Sequence, residues 1–408
     1  MHRSTNANRA IETVWRIEAA RVIAAVARLV GDVGLAEELA QDALVAALEQ
    51  WPSEGVPRNP GAWLTTTAKR RAIDHLRRRE RFERSMPDLV TPESVEFADF
   101  EEEPIEDDLL RLIFTACHPV LPYEARVALT LRLIGGLTTD EIARAYLVPS
   151  ATVGQRISRA KKALAGMPFE LPSGPDRTAR LAAVLEVIYL IFNEGYSATA
   201  GDDWMRPALC NEAMRLGRIL TGLMPAEPEA HGLIALLEIQ ASRIPARTGP
   251  SGEPITLPEQ DRGRWDRLLI TRGLAALTKA ESLGGGVYTL QAAIAACHAR
   301  AMTAAETDWS RMSSLYAQLA ALAPSPVIEL NRAVAVSMAD GPEAGLAVLD
   351  PLLAEPTMRQ YHLLPAVRAD FLVKLGRTAE AKAEFERAAA LTKNERERAL
   401  LVERAAAC

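Results

Sequence analysis

A chain of 408 residues is long enough for two to four domains, each burying its own core. Its 47 Lys and Arg against 53 Asp and Glu leave a net charge of −6, which excludes a uniformly basic nucleic-acid coat; any such contact must come from local segregation of charge. Apolar residues make up 49% but aromatics only 5%, and Ala, Leu, Arg and Glu dominate, which argues against sandwiches and barrels and predicts an all-α fold.

The first module is expected over residues 10–84, with helices near 12–30, 34–50 and 60–82. Gly31-Asp32-Val33-Gly34 breaks the first, and the loop from Trp51-Pro52 to Asn59-Pro60 breaks the second. Charge is segregated within it. Leu29 to Pro57 holds six acids (Asp32, Glu37, Glu38, Asp42, Glu49, Glu54) and no Lys or Arg, whereas Lys69 to Arg84 holds eight bases against three acids. On the third helix Ala68, Ala72, Ile73 and Leu76 form an apolar stripe, and Arg70, Arg71, Asp74, Arg77 and Arg78 share the other side. Such a face is a phosphate-binding surface or an ordinary solvated one, and the acidic helix beside it favours the first reading.

Residues 85–107 form an acidic linker. Between 85 and 110 there are ten carboxylates and no Lys or Arg, a self-repelling composition that favours an extended chain. The second module, residues 108–168, carries the strongest local signal. Thr138 or Thr139 caps a helix of residues 140–147, Val148-Pro149 breaks it, and Ser150 caps a second helix through Lys162. Ile142, Tyr146, Val148, Val153 and Ile157 fall where a helix-turn-helix needs apolar contacts, with Ala143 at the crossing. The other face presents Thr152, Gln155, Arg156 and Arg159 to a major groove, with Lys161 and Lys162 available for phosphates. Gly154 inside this helix costs about 1 kcal/mol relative to Ala, unless it admits close approach of the backbone to DNA.

A helical domain follows over residues 178–300, irregular between Pro245 and Pro258. Residues 301–408 contain a faint repeat: Ala333, Gly345 and Leu349 recur as Ala369, Ala381 and Phe385 at a constant offset, close to the tetratricopeptide period. Asn193-Glu194-Gly195-Tyr196 with Asp202-Asp203-Trp204 reads either as a polar ligand site or, more simply, as a helix C-cap at Gly195 and a later N-cap.

The four cysteines are far apart, no histidines are spaced as metal ligands, and no nucleophile elbow or phosphate loop is present, so no catalytic residue, metal or cofactor is expected and an enzyme is disfavoured. The longest apolar stretch, Leu181 to Phe192, is too short for a bilayer and contains Glu186. A soluble cytoplasmic protein is expected, without a membrane partner.

These motifs together resemble the extracytoplasmic-function sigma factors of bacterial RNA polymerase. Glu37-Glu38-Leu39-Ala40-Gln41-Asp42 looks like region 2.2, and the resemblance implies that Glu37, Glu38, Leu39, Gln41 and Asp42 dock on the β′ clamp helices of core polymerase. Pro60-Gly61-Ala62-Trp63-Leu64 and Ala72 to Arg79 look like regions 2.3 and 2.4. They imply recognition of the −10 element by Asn59, Trp63, Arg70, Arg71, Asp74, Arg77 and Arg78, with a flipped base held near the 51–59 loop. Gly136 to Lys162 looks like region 4.2, implying that Thr152, Gln155, Arg156, Arg159, Lys161 and Lys162 read the −35 element while the module meets the polymerase β flap. The continuation past residue 168 resembles a subgroup with a fused tetratricopeptide-like extension, through Ile188 to Tyr196 and Leu290 to Ala299. That implies regulation by the extension, with a small DGPF (YCII-related) protein as a partner. The competing readings are a conventional helix-turn-helix regulator, which binds duplex DNA unaided, and a repeat scaffold without DNA activity.

Overall fold

The structure, a computed structural model, describes residues 2–84, 105–146, 148–197, 205–249, 255–392 and 395–408. Among the described residues it is built of α-helices and short 3-10 turns with no β-strand, the all-α fold expected from composition. The acidic linker lies outside the described residues except at its end, where residues 105–107 already belong to a helix. The chain divides into two compact units, Met1–Ser197 with Asn211–Leu223, and Ala198–Cys210 with Met224–Cys408.

In the first unit, α1 (His2–Val30), α2 (Val33–Glu54) and α3 (Pro60–Arg84) pack together. Their core is small-residue and tight: Val22, Ala24, Val26, Ala36, Ala43, Ala68 and Ala72 have no measurable exposure. The Asp32 carboxylate accepts from Leu35 N–H at 2.9 Å and caps α2. Pro52 does not stop α2 as expected. The helix carries it to Glu54, and Gly55, at φ 89°, closes the end by donating to Trp51 O. Trp51 is buried and meets the half-buried Trp63 edge-on, ring centroids 5.3 Å apart, so the indole of Trp63 packs the α2–α3 junction.

Next come α4 (Ile105–Ala116), α5 (Tyr123–Leu133), α6 (Thr139–Tyr146) and α7 (Ser150–Leu164). Thr138 starts α6 with a capping box: Thr138 N–H and Oγ1 donate to Glu141 Oε2 at 2.7 and 3.0 Å, and Glu141 N–H donates to Thr138 Oγ1 at 3.2 Å. Ser150 is not the cap of α7. Pro149 stands at that position and Ser150 Oγ donates to Asp140 Oδ1 at 2.5 Å, so the hydroxyl ties the two helices of the motif together. Ile142, Ala143, Val153 and Ile157 are buried as expected, with Tyr146 and Val148 half-buried.

The unit extends beyond the expected boundary at residue 168. Helix α8 (Gly174–Tyr196) packs against α4 and α5, burying Leu181, Val184, Ile188 and Phe192, and Arg126 pairs with Glu186 at 3.3 Å. From α9 (Pro207–Leu223), Arg215 donates to Ile134 O at 2.7 Å. Gly195 does not cap α8; it is buried in the helix, and Ser197 closes the end. Residues 202–204 lie outside the described residues.

The second unit continues with α10 (Pro228–Ala241), α11 (Arg267–Ser282), α12 (Val287–Arg300) and α13 (Trp309–Leu322), the expected interruption falling between α10 and α11. In the glycine run 284–286, Gly284 and Gly285 have positive φ, of 111° and 66°, and Gly286 is required by packing. A Cβ at Gly286 would lie 2.5 Å from the Glu229 carboxyl carbon, and that carboxylate accepts from Tyr288 and Thr289 N–H at 2.8 and 3.1 Å, so a side chain of α10 caps α12. Then α14 (Pro326–Asp340) pairs with α15 (Pro342–Leu349), α16 (Leu363–Lys374) with α17 (Thr378–Leu391), and α18 (Glu395–Ala406) closes the array. All six repeat-marking residues are buried. A Cβ at Gly345 would meet Ser337 Cβ at 2.5 Å, which is the close helix approach its position in the repeat implies.

Candidate nucleic-acid interface

On α3, Arg70, Asp74, Arg77 and Arg78 are exposed together, and the basic face expected there exists. Arg71 is less available: its guanidinium pairs with Asp42 of α2 at 3.2 Å. Both side chains are well exposed, so the pair contributes little to stability and is readily exchanged for phosphate. Asn59 is exposed at the start of α3, where its Oδ1 accepts from Ala62 N–H at 3.1 Å. Trp63, half-buried against Trp51, is left with limited area for stacking on a base.

On α7, Gln155, Arg159 and Lys162 are exposed, with Thr152 and Arg156 half-buried beside them. Spaced three and four residues apart, Thr152, Gln155, Arg156 and Arg159 share one face of the second helix of the helix-turn-helix, turned away from the buried Val153 and Ile157. Gly154 lies off this face, in a cleft facing α2, and a Cβ there would meet nothing within 4 Å. The fold therefore does not require glycine. Gly154→Ala is expected to stabilise the chain by about 1 kcal/mol in thermal unfolding. A neutral or negative change would show that the backbone at 154 needs its freedom.

The five α2 residues are placed differently from one another. Glu38 and Asp42 are exposed and Gln41 is half-buried, but Leu39 is only 7% exposed and packs in the module's own core, so it supports the surface rather than forming it. Glu37 is also buried, at 3% exposure. Its Oε1 accepts from Arg132 Nε at 2.8 Å and from Gln41 Nε2 at 2.7 Å, and its Oε2 pairs with Lys161. A buried carboxylate is tolerated only when paired in this way. Two residues assigned by sequence to separate partners, Glu37 and Lys161, are thus each other's partners here.

Sequence reasoning missed the apolar part of this surface. Val45 and Leu48 on α2 and Ile17 on α1 are 51%, 39% and 61% exposed, beside a cleft of about 820 Å³. Glu38, Gln41, Val45 and Leu48 recur at helical spacing, and that exposed stripe was legible once the buried alanines had fixed which face of α2 turns inward.

Cys117, Cys210 and Cys297 are buried, and Cys408 is exposed. Burial pushes the Cys117 thiol up to about 11, and its sulfur lies 3.3 Å from Thr130 Oγ1, while His118 Nδ1 accepts from Val120 N–H in a turn. All four cysteines are unpaired. Among the described residues no group of His, Cys, Asp and Glu is placed to hold a metal, and no helix is long and apolar enough to cross a membrane.

Residues 15–82 match the Sigma-70 region 2 family, residues 111–164 the Sigma-70 region 4 family, and residues 180–281 a family of unknown function, DUF6596. An uncharacterized protein of Rhizobium meliloti (strain 1021) is 46% identical over 391 residues, 93% of this chain and 92% of its own length. The RNA polymerase sigma-H factor of Pseudomonas aeruginosa is 32% identical over 156 residues, 35% of this chain and 78% of its own length. No solved structure matches the chain. The charged face of α3 and the helix-turn-helix of α6 and α7 thus fall inside two successive sigma regions, and the likeness to a sigma factor covers most of that relative: the chain belongs to the sigma-70 family of RNA polymerase sigma factors.

Proposed function

We propose that the chain is a sigma factor of the extracytoplasmic-function type, in which α2 docks on core polymerase, α3 holds the −10 region and α7 reads the −35 element. The observation that carries this reading is the order of the two sigma regions along the chain, with a basic face on α3 in one and a polar reading face on α7 in the other. Glu38, Gln41, Asp42, Val45 and Leu48 supply the docking surface, acidic at one end and apolar at the other. Arg70, Arg77 and Arg78 grip the non-template strand's backbone, and Asn59 lies at the loop that receives a flipped base. Gln155 and Arg156 contact base edges, Arg159 and Lys162 phosphates.

The second unit is the regulatory part in this proposal. Its two helix pairs with buried small residues at their crossings support a tetratricopeptide-like array, whose concave side suits a peptide or helix. The small DGPF-type partner implied by the resemblance is a candidate for that role.

The test is run-off transcription by the full chain with purified core polymerase on the DNA upstream of its own gene, with permanganate footprinting of the opened strand. Core-dependent transcripts with opening near −10 support the reading. Duplex binding without core, as a dimer on paired half-sites, would favour a conventional regulator instead. Within this frame Gln155→Ala or Arg156→Ala is expected to weaken promoters that carry the matching −35 sequence by about 1–3 kcal/mol per lost contact. Equal weakening of every promoter would mark those side chains as phosphate contacts.

A further inference from the structure

We propose that the opening helices of the DUF6596 segment are a built-in brace for the helix-turn-helix, and that Arg215 of α9 is the residue that positions it. The inference rests on the sigma-factor reading above and gives a role to a stretch whose family is of unknown function. The segment matched by that family does not stay together. Its residues up to Ser197, and Asn211–Leu223, belong to the first compact unit with both sigma regions, while the rest belongs to the second. Helix α8 packs on α4 and α5, and α9 reaches the turn between α5 and α6.

A helix ends in carbonyls that have no partner within it, and at the end of α5 one of them is claimed by the extension. Gly136, at φ 67°, turns the chain out of α5, and Leu137 N–H donates back to Leu131 O at 3.1 Å. The Ile134 carbonyl accepts from Arg215 Nη2 at 2.7 Å, so α9 sets a cation at the negative end of α5. The guanidinium is itself held in place: Glu212 accepts from its Nε at 3.0 Å and from its Nη2 at 2.7 Å. There is no slack at this point, since a Cβ at Gly135 would lie 2.5 Å from Leu131 O and 3.0 Å from Glu212 Oε1. Farther along the turn Arg132 Nη1 donates to Leu137 O at 3.2 Å, and Thr138 then starts α6. Helices α6 and α7 follow this turn directly and pack on α5, so a shift at its end is passed to the reading face. Base-edge contacts need their side chains held to within about 0.5 Å. Phosphate contacts by the long side chains of Arg159 and Lys162 tolerate more. Loss of the brace therefore falls on discrimination between sequences rather than on affinity for DNA as such.

The test is the discrimination ratio of the full chain with core polymerase. Fluorescence anisotropy gives the affinity for a promoter fragment taken from upstream of the chain's own gene and for the same fragment with its −35 element scrambled. A smaller fraction of correctly folded protein lowers both affinities alike and leaves the ratio unchanged, so a merely structural role for Arg215 would not move it. Arg215→Ala is expected to lower the ratio about tenfold, with core binding, which uses α2, within about twofold of native. Arg215→Lys keeps a cation able to donate to the Ile134 carbonyl and should recover most of that loss. An unchanged ratio in Arg215→Ala, or a loss in Arg215→Lys as deep as in Arg215→Ala, would overturn the brace. Failure of the native chain to bind core polymerase, or to discriminate between the two fragments, would instead overturn the sigma reading, and the brace with it.

Discussion

Glu38→Lys is expected to remove core RNA polymerase from the full chain in co-purification while leaving its thermal unfolding unchanged. Glu38 is exposed in the first half of α2, one turn from Asp42 and two from Val45, at the acidic end of the stripe that also carries Leu48. Reversing its charge converts attraction into repulsion at the surface proposed to dock on core polymerase, a cost of about 2 kcal/mol or more and hence about thirtyfold or more in affinity. The fold should not register the change, since a surface substitution outside caps and ion pairs stays within about 0.5 kcal/mol. Glu37→Lys would be a poor substitute. It places a third cation against Arg132 and Lys161, so a loss of binding would confound docking with disruption of the contacts of Glu37 with α5 and α7. Retention of core by Glu38→Lys at native levels would sink the assignment of the α2 stripe to polymerase.

Phe385→Ala is expected to cost about 3–5 kcal/mol and to melt the end of the second unit. The ring is 1% exposed on α17, among Ala369, Ala388, Ala389, Leu401 and Ala405, with the Arg404 guanidinium 4.6 Å from its centroid. Its neighbours are mostly alanines, which have no longer side chains to move into the space. Each helix pair is stabilised by the next, so loss at α17 should spread to α16 and α18. Hydrogen exchange is the measurement of choice: protection should fall across residues 363–406 and persist in α1 to α7. Glu386→Ala, on the exposed face of the same helix, should change stability by less than about 0.5 kcal/mol. Less than about 1 kcal/mol for Phe385→Ala would mean that this cluster does not hold the array.

The two experiments also give a way to ask what the second unit does. Ending the chain near Met167 would remove α8 and α9, and with them Leu181, Val184, Ile188, Phe192 and Arg215, which pack on or bond to α4, α5 and the C-terminal end of α5 at Ile134. A truncated protein would then report damage to the first unit as loss of regulation. Phe385→Ala, far along the second unit and part of neither sigma region, perturbs the repeats while keeping those contacts.

The sequence by itself determined the all-helical architecture, the order of the two sigma regions and the breaks between their helices at 31–32, 55–59 and 148–149. Those features are local: apolar residues recurring every three or four positions set which face turns inward, and glycine, proline and capping side chains such as Asp32 and Thr138 set where each helix starts and stops. Charge segregation between α2 and α3 was equally legible, because it is a property of the order of charged residues along the chain. The glycine and alanines of the expected repeat are buried, and Gly345 lies close against α14. Only the tertiary structure decided which charged residues are available. Glu37 and Glu38 are neighbours of the same type, yet one is sealed by cations 95 and more residues away and the other faces solvent. The docking of one module on another chooses between them, and no periodicity encodes it. The same holds for Glu229 capping α12 across 59 residues, and for α8, whose apolar face completes the first unit although its sequence runs on into the extension.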